Sequence, residues 1–204
     1  MRLEIGPPRR PDLAVGAKQA LPHSPTVLLL VDVMNPLDFP EARRLEPAAR
    51  TAARAIARLK RRLARDAVAT IYANDNYGQW RSDFRDVLRC CRERGGTAAE
   101  IADVLAPSDE DLFILKPRHS AFFATPLDLV LTQMHAKRLV ITGFAADICV
   151  QLTAMDASLR GYELWVPSDC TAAESPGLKA EALAYMKRVL KAQTVASTRQ
   201  RVLD

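Results

Sequence analysis

From residue 26 onward the chain alternates short, uninterrupted apolar runs with longer stretches of helical period. Thr26-Val27-Leu28-Leu29-Leu30-Val31 is the first run. Val68–Ala73, Leu112–Leu115, Leu139–Thr142 and Tyr162–Val166 follow, and Gln193–Ser197 is a weaker sixth. Strands with one wet face alternate apolar and polar residues, whereas strands covered on both faces do not. The runs therefore predict a central sheet of six mostly parallel strands. Parallel neighbours need crossover connections, and the intervening segments supply them. In 41–65, Leu45, Ala49, Ala52, Ile56, Leu59 and Leu63 recur at steps of three and four, which makes one apolar stripe. Thr125-Pro126-Leu127-Asp128 opens a second helix, with cap, first-turn proline and helpful acid in order. Asp147–Arg160 forms a third, stopped by Gly161, and Ser175-Pro176 opens a last one to about Lys191. The expected fold class is α/β, a doubly wound sheet with helices on both faces and right-handed crossovers.

The first 25 residues break this rhythm. They hold five of the chain's 13 prolines, Pro7, Pro8, Pro11, Pro22 and Pro25, a density that blocks helix and central strand. We read 1–25 as a proline-rich arm and 26–204 as the folded domain. A chain of 204 residues buries about 70% of its unfolded surface, so it needs no disulfide or metal staple. Its four cysteines fit no disulfide scaffold. The absence of an apolar leader near Met1, or of a run near the ~18 residues of a membrane span, predicts a soluble, cytoplasmic protein with reduced thiols.

The net charge of +5 is concentrated in one place. Segment 41–65 carries nine basic residues and only Glu41 and Glu46 as acids, a local +7 against −2 for the remainder. Most of its arginines lie opposite the apolar stripe, as on a solvated outer face. No aromatic residues, zinc spacing or nucleic-acid module accompany them, so no nucleic-acid partner is expected. A non-enzymatic protein using this helix to bind an anionic partner is the alternative reading.

In open parallel sheets, ligands bind beyond the carboxyl ends of the strands. Asp32 follows the first run, Asn74-Asp75-Asn76 the second and Lys116 the third. Gly143-Phe144-Ala145-Ala146-Asp147-Ile148-Cys149 follows the fourth, with Cys149 in the first turn of the next helix. An acid, a cation and a thiol thus converge at one rim. A helix start and a nearby ammonium favour the reactive thiolate. A carboxylate can take the thiol proton and pass it to a leaving group. Backbone amides at the same helix start can hold an oxyanion. The combination suits attack on a carbonyl. Asn74, Asn76, Trp80 and Phe122 are candidate pocket residues. His119, three residues after Lys116, offers a rival Cys149–His119 dyad.

Val31-Asp32-Val33-Met34-Asn35, Leu115-Lys116-Pro117-Arg118-His119-Ser120-Ala121-Phe122 and Thr142-Gly143-Phe144-Ala145-Ala146-Asp147-Ile148-Cys149-Val150 resemble the three signatures of the isochorismatase-like cysteine hydrolase superfamily. That group includes nicotinamidases and N-carbamoylsarcosine amidohydrolases. The resemblance implies a catalytic triad of Asp32, Lys116 and Cys149. Cys149 would attack an amide-type carbonyl of a small molecule, Asp32 would shuttle the proton, and Lys116 would hold both by charge. It also implies a cis peptide at Phe144–Ala145, an oxyanion hole on the backbone amides of Ala145 and Cys149, and a homo-oligomer. The chain departs from the nicotinamidase pattern, which carries an Asp-x-His metal motif. Its three histidines, His23, His119 and His135, form no ligand pair, so neither a catalytic zinc nor another cofactor is expected. The nucleophilic Cys149 points to an amidase-like reaction, with isochorismate-type vinyl ether hydrolysis as the alternative.

Overall fold

The computed structural model describes residues 20–199. Residues 1–19 of the expected arm, and 200–204, lie outside the described residues. Residues 20–25 run without helix or strand into the sheet. There the Ser24 amide donates to Met134 O at 2.9 Å, and Pro25 O accepts from the Lys137 and Arg138 amides.

The chain builds β1 (Thr26–Val31), α1 (Ala42–Ala64), β2 (Ala69–Asp75), α2 (Phe84–Arg94), α3 (Gly96–Val104) and β3 (Leu112–Lys116). It continues through α4 (Leu127–Gln133), β4 (Arg138–Phe144), a π-helical turn (Ala146–Val150) and α5 (Gln151–Leu159). β5 (Glu163–Trp165), a 3₁₀ turn (Ser168–Cys170), β6 (Thr171–Ala172) and α6 (Pro176–Val189) complete it. The sheet order is β3-β2-β1-β4-β5, with β6 on the far end of β4. Every strand pairing is parallel.

The two faces of β1 explain its lack of alternation. Leu28 and Leu30 join a core with α1, α2 and α3. Val27, Leu29 and Val31 join a second core with α4, α5 and α6. All six β1 residues are buried. The α1 stripe from Leu45 to Leu63 is buried as its spacing demands, and each of its leucines contributes about 2 kcal/mol on leaving water. Arg43, Arg54, Arg58, Arg61 and Arg65 remain exposed on the other side. Others are engaged: Arg50 meets Glu100 at 2.7 Å, and Lys60 bonds both Asp111 and the Tyr72 hydroxyl.

Two expectations change, and one region left open by periodicity is filled. Gln193–Ser197 is not a strand: Gln193 makes only an isolated bridge to Trp165. Beyond it the chain turns to other work, with Val195 O accepting from Trp165 Nε1 and Ser197 bonding Asp169. The sixth strand is instead Thr171–Ala172, paired with Gly143 and Phe144. Cys149 lies in a π-helical turn rather than the first turn of an α-helix. The Val150 amide reaches Ala145 O, five residues back, at 3.1 Å. Between β2 and β3 lie two helices whose limits periodicity did not mark. α2 begins with a capping box in which Asp83 and Asp86 bond each other's backbone amides.

Candidate active site

The strand order reverses at β1, so the carboxyl end of the sheet opens between β1 and β4. Asp32 stands at that point with a left-handed φ of 50°, its amide bonded to Ala73 O at 3.0 Å. Lys116 ends β3, paired in register with Asp75 of β2. Two strand spacings, about 10 Å, separate β3 from β1. The long lysine side chain crosses the end of β2 to close that gap. Cys149 arrives from the fourth strand, four residues beyond Ala145, and the Phe144–Ala145 peptide between them is cis. Gly143 sits just before it with φ +117°, and a Cβ there would lie 1.9 Å from Val31 O. Only glycine allows β1 and β4 to meet so closely here.

The side chains converge. Lys116 Nζ is 2.7 Å from Asp32 Oδ2 and 3.6 Å from Asp75 Oδ2. It also donates to Arg118 O at 3.2 Å and to Cys149 Sγ at 3.7 Å. The other Asp32 oxygen accepts the Asp75 amide at 2.7 Å. Lys116 is 0% exposed and Asp32 is buried as well. Cys149 is half-buried.

Burial controls the protonation of the site. It pushes the Asp32 carboxyl above the usual carboxylate value, and the Lys116 charge offsets this only in part. Burial works against the Lys116 ammonium too, but Asp32, Cys149 and Asp75 outweigh it, so Lys116 stays charged above its ordinary value. Burial, then the charge of Asp32, pushes the Cys149 thiol up against the pull of Lys116. These shifts favour the thiol form of Cys149 beside the Lys116–Asp32 ion pair, an arrangement that calls for a base to take the proton on attack.

The candidate pocket residues part company in the structure. Asn76 and Trp80 line an open cleft of about 820 Å³, together with Pro36, Tyr77, Arg81 and Cys90. Trp80 is 79% exposed at its mouth. Asn74 and Phe122 do not line it. Asn74 belongs to β2, is fully buried, and donates to Met34 O at 2.7 Å. Phe122 is 5% exposed in the α4–α6 core, with the Arg160 guanidinium 4.6 Å above its ring. The reason is local: Ser120 bonds Asp156 and the Ala121 amide bonds Thr153, so the turn is pinned to α5 with Phe122 inward. Asp75, marked in the sequence by its place after the second run, ends β2 and lies 3.6 Å from the lysine. His119 Nδ1 lies 3.7 Å from Cys149 Sγ, on the exposed side. Among the described residues, no group of three or more His, Cys, Asp or Glu is placed to hold a metal ion. No described helix is long and apolar enough to cross a membrane.

The isochorismatase domain family matches residues 26–200. The chain belongs to the isochorismatase family. It is 35% identical over 178 residues to the uncharacterized isochorismatase family protein YaaI of Bacillus subtilis, covering 87% of this chain and 96% of YaaI. It is 35% identical over 92 residues to the ureidoacrylate amidohydrolase RutB of Klebsiella pneumoniae. That match covers 45% of this chain and 39% of RutB. The solved N-carbamoylsarcosine amidase of Thermoplasma acidophilum superposes with a TM-score of 0.61 at 26% identity, covering 86% of this chain and 98% of that one. This isochorismatase-family protein is accordingly a hydrolase with amidohydrolase relatives.

Proposed function

We propose that this hydrolase cleaves a C–N bond of a small amide through a thioester on Cys149. The observation that carries the reading is the single ammonium, Lys116 Nζ, that bonds both Asp32 Oδ2 at 2.7 Å and Cys149 Sγ at 3.7 Å. In the first half-reaction Sγ attacks the carbonyl carbon while its proton passes to Asp32. The carbonyl π pair moves to oxygen, where the backbone amides of Ala145 and Cys149 stabilise it. Collapse breaks the C–N bond, and Asp32 returns the proton to the leaving amine. In the second, Asp32 deprotonates water, which attacks the thioester carbonyl, and the thiol leaves with the proton. Lys116 stays charged throughout and compensates Asp32 whenever that residue is ionised. The amidase and amidohydrolase names of two relatives support the C–N bond as the target.

A panel of small amides, ureido acids and isochorismate, scored for product, tests the reading. We expect ammonia or amine release from at least one amide, abolished by Cys149→Ala with the fold intact. Full turnover in Cys149→Ala, or turnover of isochorismate alone, overturns it.

A further inference from the structure

Lys116 serves two carboxylates. Its Nζ lies 2.7 Å from Asp32 Oδ2 and 3.6 Å from Asp75 Oδ2. Asp75 ends β2 in register with Lys116 at the end of β3. Register partners in a parallel sheet present their side chains to the same face, and the preceding residue turns to the opposite one. Asn74 accordingly points away and donates to Met34 O at 2.7 Å. Asp75 itself is fixed twice. Its Oδ1 accepts the Tyr77 amide at 2.7 Å, and its own amide donates to Asp32 Oδ1 at 2.7 Å. One residue thus holds both members of the buried ion pair, Asp32 through the backbone and Lys116 through the side chain.

The charges of this group do not balance. Two carboxylates share one ammonium, and among the described residues Lys116 is the cation paired with either. The titratable groups around Asp75 are Asp32 beyond β1, Lys116 on β3, Cys149 in the π-helical turn and Tyr77 two residues on. His119 meets Cys149 from the solvent side. The Asp75 side chain is 29% exposed against 7% for Asp32. Its bonds go to Lys116 and the Tyr77 amide, so it is placed to adjust the ion pair and not to take the thiol proton. A carboxylate held alone by an ammonium is a poor base, because the pair favours its charged form. A second carboxylate that draws on the same ammonium weakens that hold. The thiol feels the same charge: burial first, then Asp32, and last Asp75, push Cys149 up.

We propose that Asp75 is a positioning residue: by sharing the Lys116 ammonium it leaves Asp32 basic enough to take the thiol proton. The proposal rests on the roles of Asp32 and Cys149 given under the proposed function. Its test separates charge from shape. Asp75→Asn removes the charge but keeps an oxygen for the Tyr77 amide, and Asp75→Glu keeps the charge. Purified protein is alkylated with iodoacetamide at one fixed pH below thiol ionisation. Rates are read by mass spectrometry on the Cys149 peptide, because Cys90 is exposed and also reacts. In Asp75→Asn the thiol ionises about one pH unit lower. More of it is thiolate, though each thiolate is a weaker nucleophile, so alkylation quickens about threefold. Asp75→Glu stays near the parent rate. With a substrate from the panel above, the acid limb of kcat/KM moves to lower pH in Asp75→Asn, because Lys116 then serves Asp32 alone. A residue that only shaped the turn would lower kcat/KM at every pH and leave the limb in place. An unchanged alkylation rate or an unmoved limb in Asp75→Asn overturns the proposal, as does an equal quickening in Asp75→Glu. If Asp75→Asn does not fold, Asp75→Gln against Asp75→Glu makes the same comparison of charge. Full turnover in Cys149→Ala sinks the proposed function, and the alkylation rates still report the Asp75 charge.

Discussion

Lys116 Nζ sits 2.7 Å from Asp32 Oδ2 with neither side chain open to water. Such a buried pair need not stabilise the fold, but breaking it on one side leaves an uncompensated charge. Lys116→Met leaves two carboxylates, Asp32 and Asp75, facing each other without a cation. Its stability to urea should fall by about 3–5 kcal/mol. The double variant Asp32→Asn/Lys116→Met should recover a large part of that loss and none of the activity. Additive losses in the double variant would show that the pair is not coupled.

The same electrostatics predicts a split between thiol ionisation and turnover. Asp32 is one reason the Cys149 thiol lies high, and Lys116 pulls the other way. In Asp32→Asn the raising charge is gone and the ammonium remains. The thiol should therefore ionise at lower pH than in the parent, read from ultraviolet thiolate absorbance, while turnover is lost for want of a base. In the parent, kcat/KM should fall as acid protonates Asp32. The midpoint should lie above the ordinary 3.8, because burial raises that carboxyl. A midpoint at or below 3.8 contradicts the assignment of Asp32 as the base.

The parallel sheet was readable because its central strands are covered on both faces, which leaves continuous runs such as Leu28-Leu29-Leu30. The meeting of Asp32, Lys116 and Cys149 followed from strand ends alone, since topology brings those ends to one rim. Three things were not readable. Whether Asn74 and Phe122 face a pocket depends on where β2 stops and on the bonds from Ser120 and Ala121 to α5. β6, at two residues, is too short to leave a pattern. The protonation of Cys149 depends on burial, and residue types near a helix start point the opposite way.

His119 Nδ1 stands as close to Cys149 Sγ as Lys116 does, 3.7 Å in each case. The two histidine roles have different consequences. If Asp32 does the proton work, His119→Ala should keep kcat within about tenfold of the parent, since a neighbouring group of this kind contributes less than the base itself. A loss equal to that of Cys149→Ala would transfer the base role to the histidine.

Two buried thiols outside the site should make the fold less stable in alkali. Burial, with Cys90 for Cys91 and Asp169 for Cys170, pushes both thiols up to about 12 from the ordinary 9.0. Below pH 9 both states hold the protons and nothing is lost. Between pH 9 and 12 the unfolded chain releases them while the folded chain keeps them. The unfolded state then binds fewer protons, so stability falls as pH rises. Each thiol should steepen that fall by about 1 kcal/mol per pH unit. Cys91→Ala and Cys170→Ala will cost stability at neutral pH by leaving small cavities, but their slope of stability against pH above 9 should be shallower. An unchanged slope would count against the buried thiols as the cause.

Gly143 gives the sharpest steric prediction. A Cβ at this position would fall 1.9 Å from Val31 O and 2.8 Å from Val31 N, both backbone atoms in a paired strand. The neighbour cannot rotate away as a side chain would. The φ of +117° is also one that residues with a Cβ rarely adopt. Gly143→Ala must therefore pry β4 from β1 at the point where Asp32 and the Cys149 turn emerge. Thermal unfolding should show a loss above about 4 kcal/mol, beyond the ordinary range for a single substitution, or the variant should fail to fold. Gly161→Ala serves as the control, because its φ of +82° is strained as well but nothing lies within 4 Å of the added carbon. Equal losses in the two variants would assign the effect to backbone conformation and remove the close approach of β1 and β4 as its cause.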